Sequence, residues 1–315
     1  MRLWGLLAAV GAAALLACAE QPASLASPGE EPFLAGPAEP ARLAVVLSSG
    51  ALRGLAHVGV LRALEAEGIR PELIVGSSVG ALIGAINASG VSAGDIGRSV
   101  AADDFDFGSD WLTSAVGRPR LSVYQFTQQN LKHQRIERFP VRFAAVVTDL
   151  RQGCMAVFNA GGAALAVQAS TGLPGVFAAT TLAGRDYADG ALSSPLPVRV
   201  ARELGAQRVI AIDVIYPPVE SRLDGMVDRL FQIGLVLTHS LATQEAQEAD
   251  LVIRPSFPAE LSVNMNNRAA LMALGDEAVR RALPEIRKLL RHPAPAPEPR
   301  RADARRCAGV ITASR

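Results

Sequence analysis

Leu73-Ile74-Val75-Gly76-Ser77-Ser78-Val79-Gly80-Ala81-Leu82 changes character at its middle. Leu73-Ile74-Val75 is short, apolar and branched, the make-up of a buried strand. Val79 to Ala88 is a longer run of small and apolar residues and reads as a buried helix. Gly76-Ser77-Ser78-Val79-Gly80 joins the two and fits G-x-S-x-G, the nucleophile-elbow pattern. Its glycines let strand and helix approach closely while the serine hydroxyl is lifted above the sheet. The helix that follows begins with unpaired N–H groups, which favour a negative charge developing beside them. A pattern with three fixed positions arises often by chance. The strand-turn-helix setting is what makes Ser78 a candidate nucleophile rather than a turn serine.

Working outward, the chain alternates between the two periods. Leu43 to Leu47 reads as an apolar strand, and Gly54 to Glu67 as an amphipathic helix with Leu55, Val58, Leu61 and Leu64 on one face. Gly68 closes that helix as a C-terminal cap. With the elbow this makes a βαβα unit whose two strands are expected to be parallel neighbours. Further strands are expected over Phe143 to Val147, Arg208 to Val214 and Leu251 to Arg254, and a long final helix over Ala269 to Leu290. The fold class is therefore α/β, a mostly parallel sheet between helical layers. Val91 to Arg138 is more polar and ambiguous, and is the expected place for variable helices and a cap.

Two further segments bear on chemistry. Ser48-Ser49-Gly50-Ala51-Leu52-Arg53-Gly54 links the first strand to the first helix. Acyl transfer creates a tetrahedral oxyanion, and preorganised backbone N–H groups are its usual stabiliser. A glycine-containing loop at a helix N-terminus, beside the elbow, is where such donors belong. The loop fails the dinucleotide fingerprint because Ser49 and Ala51 stand at glycine positions, and it has no phosphate-cradling Gly-Lys-Ser/Thr. Arg53 opposes the positive end of a helix dipole. It either braces loop carbonyls or meets an anionic head group, or it simply faces solvent. Later, Arg185-Asp186-Tyr187-Ala188-Asp189-Gly190-Ala191 ends a hairpin-like segment turning at Gly184. Asp-Gly alone is most often a turn. Its weight comes from Ser170-Thr171-Gly172-Leu173-Pro174-Gly175-Val176-Phe177 just upstream and Pro195-Leu196-Pro197-Val198 just downstream.

Taken together, these segments resemble the patatin-like phospholipase family. The resemblance runs through Leu43 to Ser48, Arg53 to Leu61, the Gly76 to Gly80 elbow, Leu173 to Phe177 and Asp189-Gly190-Ala191. Order and spacing agree throughout, from Ala41 to about Leu290. The resemblance implies a three-layer α/β/α fold and a Ser-Asp dyad in which Ser78 attacks an acyl ester and Asp189 takes its proton. It also implies an oxyanion hole of backbone N–H groups from Gly50, Ala51, Leu52 and Arg53, with Gly54, Gly76, Gly80, Gly190 and Ala191 as motif positions. The implied substrates are acyl esters of phospholipids, lysophospholipids or related lipids. The family usually carries a run of glycines where this chain has Ser49-Gly50-Ala51-Leu52. If Ala51 must take a left-handed conformation, the cost is about 1–2 kcal/mol.

The ends of the chain read differently from its body. Arg2 followed by the apolar stretch Leu3 to Leu16 has the form of a signal peptide, too short for a membrane span. Leu15-Leu16-Ala17-Cys18 resembles a bacterial lipobox, which would acylate Cys18; Ala17-Cys18-Ala19 also satisfies the rule for ordinary cleavage and a secreted soluble form. The lipobox reading gives residues 1–18 as the signal and a lipid-anchored protein of a bacterial cell envelope. Ala19 after the Cys resembles an outer-membrane sorting signal, which implies a protein facing the periplasm. Residues 19–40, rich in Pro, Ala, Gly and Glu, read as a flexible linker, 41–291 as the acyl hydrolase domain, and 292–315 as a disordered tail.

Composition excludes other classes. The chain has 315 residues, 50% hydrophobic and 19% charged, with a net charge of +1. Nothing points to nucleic acid as a partner. Three Cys are too few for a disulfide framework, and neither they nor the four scattered His fit a metal site, so no metal and no cofactor are expected. Two rival readings remain. One is an α/β-hydrolase triad with His239 as base, which the order Ser…Asp…His permits. His239 nonetheless lies in the mostly apolar helical segment Leu230 to Leu241, the setting of a packed or surface His. Asp213 is the competing acid and reads as structural, as does His57 one turn into the first helix. The other rival is a catalytically inactive lipid-binding protein on the same fold, favoured by the altered glycine loop alone. The oligomeric state is not legible.

Overall fold

The structure is a computed structural model and describes residues 31–35, 39–102, 123–172, 179–215, 217, 225–292 and 307. Cys18 and the proposed signal, residues 19–30 and 36–38 of the linker, residues 103–122 of the cap region, Leu173 to Phe177 and most of the tail lie outside these.

One sheet organises the described chain. β1 (Ala44–Leu47), β2 (Leu73–Ser77), β3 (Arg142–Asp149), β7 (Val209–Ile212) and β8 (Leu251–Ile253) are parallel, in the order β3-β2-β1-β7-β8. β4 (Cys154–Phe158) and the hairpin of β5 (Thr180–Leu182) and β6 (Arg185–Asp189) add antiparallel pairings onto β3. The sheet is thus mixed at the β3 side, with a parallel centre. The β5–β6 hairpin turns through Ala183 and Gly184, both at positive φ (46° and 71°), which matches the twist of the strands it joins.

The strands alternate cleanly between two apolar layers. Val45, Leu47, Ile74, Phe143, Ala145 and Val147 face one core with α1 (Leu55–Ala66), α2 (Val79–Ala88), α3 (Ala93–Ala102), α4 (Val123–Asn130), α5 (Ala163–Ser170) and the last helix, α8 (Arg268–Arg291). Ala44, Val46, Leu73, Val75, Ala144 and Val146 face a second core with α6 (Val198–Glu203) and the C-terminal end of α7 (Met226–Ala246). Both faces of the central strands are buried, which is why they read as unbroken apolar runs. The expected α/β/α layering is present. Gly68 caps α1 with φ 69°, and α2 begins and ends where its sequence pattern does.

α1 and α8 cross at a pair of glycines. A Cβ on Gly59 would stand 1.8 Å from the Met272 carbonyl oxygen, and one on Gly275 would stand 1.9 Å from that of Ala56. The helix backbones are therefore in direct contact. The long final helix is locked onto the first, which in turn carries the loop after β1.

The cysteines hold an unexpected feature. Cys154 at the start of β4 is joined to Cys307 by a disulfide, and the Cys307 N–H donates to the Met155 carbonyl at 2.9 Å. Cys307 is buried although it lies in the stretch read as a tail. From the other end of the chain, Phe33 in the expected linker forms an antiparallel bridge with Ala160, just past β4. Among the described residues β4 pairs with no strand but β3, so both contacts cover an edge that would otherwise be open.

Candidate active site

Ser78 follows β2 at the carboxyl ends of the parallel strands, where ligands bind in open α/β sheets. Its φ and ψ of 55° and −125° lie outside the regions a serine normally adopts. The strain is held by what surrounds the turn. A Cβ on Gly80 would meet the Leu47 carbonyl oxygen at 2.2 Å, and one on Gly76 the Ala81 nitrogen at 2.4 Å. Only glycines admit so close an approach of strand and helix. The Ser78 N–H donates to Ser170 Oγ at 2.9 Å, and Ser170 Oγ–H donates to the Val146 carbonyl at 2.6 Å. Ser170 therefore ties the elbow to β3, a role its sequence position gave no sign of.

The structure brings Ser78 and Asp189 together. Ser78 Oγ–H donates to Asp189 Oδ2 at 2.7 Å across 111 positions of sequence. Asp189 ends β6 and pairs with Val147, one residue past the point where Ser77 ends the β2 pairing. Its other oxygen, Oδ1, accepts the Ala191 N–H at 2.8 Å, its own N–H donates to the Gly172 carbonyl at 3.0 Å, and its carbonyl accepts from Thr148 Oγ1 at 2.8 Å. Gly190 has no room for a side chain: a Cβ would stand 2.3 Å from the Val146 carbonyl oxygen. Burial pushes the Asp189 carboxyl up to about 6, against the opposing pull of the Ala191 N–H and the Ser78 hydroxyl. A carboxylate tuned this way is a stronger base than a surface one.

The loop after β1 lies beside this pair. Gly54 is separated from Val79, the residue after Ser78, by too little space for a Cβ (2.2 Å to Val79 Cγ1). Residues Ala51–Gly54 form a single 3-10 turn. Ala51 does take the left-handed conformation, with φ 48°. The N–H groups of Gly50, Ala51 and Leu52 precede the first bond of the turn, and among the described residues none of them meets a backbone acceptor. The fourth expected donor is different: the Arg53 N–H already donates to the Gly50 carbonyl at 3.1 Å, closing the turn. The Arg53 N–H is thus removed from the four expected donors, and those of Gly50, Ala51 and Leu52 remain as candidates. The Arg53 guanidinium lies over the Phe257 ring, 6.0 Å from its centre, at the outer reach of a cation–π contact.

His57 holds the loop from below. Its Nε2–H donates to the Ser48 carbonyl at 2.9 Å, while Ser48 Oγ–H donates to the Ser49 carbonyl and Oγ accepts the Val214 N–H at 3.0 Å. Burial holds the imidazole down to about 4, against the opposing effect of the Ser48 carbonyl, so it stays neutral near pH 7. His57→Phe is expected to leave that carbonyl buried without its donor and to cost about 1–3 kcal/mol. Urea unfolding of the two proteins measures this, and an unchanged midpoint would remove His57 from the loop's support.

The remaining residues named from sequence lie apart from the pair. Asp213 accepts from the Ile215 N–H and from Arg254 Nε at 2.9 Å, an ion pair bracing the loop after β7. His239 on α7 hydrogen-bonds through its backbone carbonyl to Thr243 Oγ1. Among the described residues no imidazole bonds to Ser78 or Asp189, so the triad reading has no geometric support.

Comparison with known proteins shows the family. The family described as patatin-like phospholipase matches residues 45–202, half of the chain, and the chain belongs to that family. An uncharacterized NTE family protein of Mycobacterium bovis is 32% identical over 154 residues, covering 45% of this chain and 40% of its own. An uncharacterized NTE family protein of Mycobacterium tuberculosis matches with the same figures. The chain spans about two-fifths of the length of these curated relatives. Among solved structures, VipD from Legionella pneumophila overlays with a TM-score of 0.44 at 13% identity, covering 86% of this chain and 73% of that one. The type III effector ExoU overlays with a TM-score of 0.38 at 15% identity, covering 79% and 53%.

Proposed function

We propose that the protein is a serine acyl hydrolase that cleaves acyl esters of phospholipids, lysophospholipids or related lipids through Ser78 and Asp189. The observation that carries this is the 2.7 Å hydrogen bond from a strained, elbow-borne serine to a buried carboxylate. Ser78 Oγ attacks the acyl carbonyl as its proton passes to Asp189 Oδ2. The N–H groups of Gly50, Ala51 and Leu52 receive the oxyanion. Collapse expels the alcohol, which takes the proton from Asp189 and leaves the acyl group on Ser78. Water then attacks that ester as its proton passes to Asp189, and Asp189 returns the proton to Ser78 Oγ as the fatty acid leaves. Without an imidazole no tautomer has to be fixed, and the carboxylate needs only direct reach, which it has.

The cell-envelope reading belongs to the same proposal. It rests on Leu15-Leu16-Ala17-Cys18, with Cys18 as the acylated residue. The Cys154–Cys307 disulfide supports it, since such bonds persist in oxidising compartments. Mass spectrometry of the mature N-terminus decides between an acylated Cys18 and a soluble form.

A fluorophosphonate probe tests the nucleophile. Wild-type protein is expected to label and Ser78→Ala to stay unlabelled with the fold intact. Labelling that persists in Ser78→Ala overturns Ser78 as the nucleophile, and none in folded wild type returns the protein to the lipid-binding alternative.

A further inference from the structure

The β7–α7–β8 crossover contains a mismatch of lengths. α7 has 21 residues, about 31 Å of helix. The parallel strands it connects have four and three, about 13 and 10 Å. α7 starts from the carboxyl ends of the strands and runs back along the sheet. Its last turns are the part that packs: Ala242, Glu245 and Ala246 are buried, and Glu245 accepts the Ser194 hydroxyl and the Leu196 N–H. The first half therefore overhangs the edge of the sheet at which Ser78 and Asp189 sit.

Beyond Arg229 the helix carries no charge over more than three turns, and part of that stretch is exposed. Residues 230–242 contain no Lys, Arg, Asp or Glu. Ile233, Val236 and Leu237, one stripe at helical spacing, are 54%, 47% and 59% exposed. Leu192, on the turn that follows Asp189 and packs against α7, is 43% exposed. Leu150, immediately after β3, is 46% exposed. These five are all the exposed large apolar side chains among the described residues, and every one lies at the edge that carries the candidate site. Scattered exposed leucines need no explanation, but a cluster around one mouth does.

We infer that the overhanging half of α7, with Leu192 and Leu150 beside it, docks on a lipid surface and presents Ser78 to lipids drawn from it. The purpose of the contact rests on the acyl-hydrolase reading. The occupant is a lipid surface for three reasons. The stripe is uncharged and amphipathic helices of this kind lie in the interface plane. Among the described residues no helix is long and apolar enough to cross a membrane, so a contact made by this segment is one at the surface. A second copy is the poorer fit, because five partly exposed side chains fall short of the about 800 Å² per partner of a stable interface, and a copy seated there would cover the candidate site.

The test uses the full chain and vesicles of phosphatidylcholine and phosphatidylglycerol. In Ser78→Ala, which cannot consume the lipid, vesicles are expected to slow amide exchange over residues 230–241 and leave α8 unchanged. The triple variant Ile233→Gln, Val236→Gln, Leu237→Gln is expected to lose that protection. With Ser78 intact it is expected to hydrolyse vesicle lipid at least about tenfold more slowly, with a soluble p-nitrophenyl short-chain ester turned over as before. Absence of protection in the parent overturns the inference, whatever the variant does. So does equal loss on both substrates, or protection that appears without vesicles as protein concentration rises, which would assign the face to a second copy. Vesicle protection in a protein that cleaves neither ester upholds the docking surface and rejects the acyl-hydrolase reading.

Discussion

Asp189→Asn is expected to lower turnover of a p-nitrophenyl acyl ester by about 10³-fold or more, because general-base help and activation of the nucleophile are lost together. The same substitution is expected to stabilise the fold. The amide keeps the Ala191 contact and can donate to Ser78 Oγ, and it removes a charge that is otherwise buried. The sign follows from the raised carboxyl. A folded value of about 6 against the ordinary 3.8 means the folded state holds the proton more tightly. Wild-type stability from this group is therefore present at low pH and lost as pH rises from about 4 to about 6. At roughly 1.36 kcal/mol per pH unit, the variant should be more stable by about 2–3 kcal/mol at pH 7.5 and equal near pH 4. His57 contributes the opposite slope. Its value near 4 means stability that is present above the ordinary 6.5 and lost as pH falls toward 4. The two slopes offset each other in the wild type, and Asp189→Asn exposes the rising one. Thermal unfolding at several pH values measures it, and the wild-type pH–rate profile should show an acid limb near 6. A variant that is no more stable at pH 7.5, or that retains full turnover, would sink the assignment.

Gly275→Leu is expected to abolish folding or to cost more than about 4 kcal/mol, as overpacking against backbone allows no side-chain escape. The atom that its Cβ would strike is the Ala56 carbonyl oxygen, at 1.9 Å, and Gly59→Leu meets the Met272 carbonyl in the same way. Separating α1 from α8 would also shift the 3-10 turn that leads into α1, so any surviving protein should turn over ester poorly. Gly94→Ala is the control. Its Cβ would find nothing nearer than 3.8 Å, and the change should be neutral or stabilising by up to about 1 kcal/mol. Soluble yield and urea midpoints of the variants make the comparison. Normal stability in Gly275→Leu would show that the two helices do not cross as described.

Much of this was legible in residues 41–90, where apolar strands, helical spacing and punctuating glycines agree with one another. The βαβα unit, the elbow and the pairing of β1 with β2 follow from local pattern alone. Asp189 was legible only through the company it keeps, since Asp-Gly by itself says turn. What could not be read depends on distant juxtaposition. Ser170 touches Ser78 across 92 positions, and Glu245 reaches Ser194 across 51. Cys154 and Cys307, 153 positions apart, carry no spacing motif. The loss of the Arg53 N–H to Gly50 is a matter of local turn geometry that residue types do not specify. β4 and β5 are short and lack alternation strong enough to stand out.

The β6 hairpin also has a bearing on how the chain is made. Asp189 reaches Ser78 by way of a strand laid antiparallel on β3, so the hydroxyl and the carboxylate meet only after synthesis has passed residue 189 and the hairpin has closed. A nascent polypeptide short of that point holds the serine, its elbow and the turn after β1, yet not the carboxylate that accepts the Ser78 hydrogen bond. The proposed pair is thereby incomplete until three-fifths of the chain, 189 of 315 residues, has emerged.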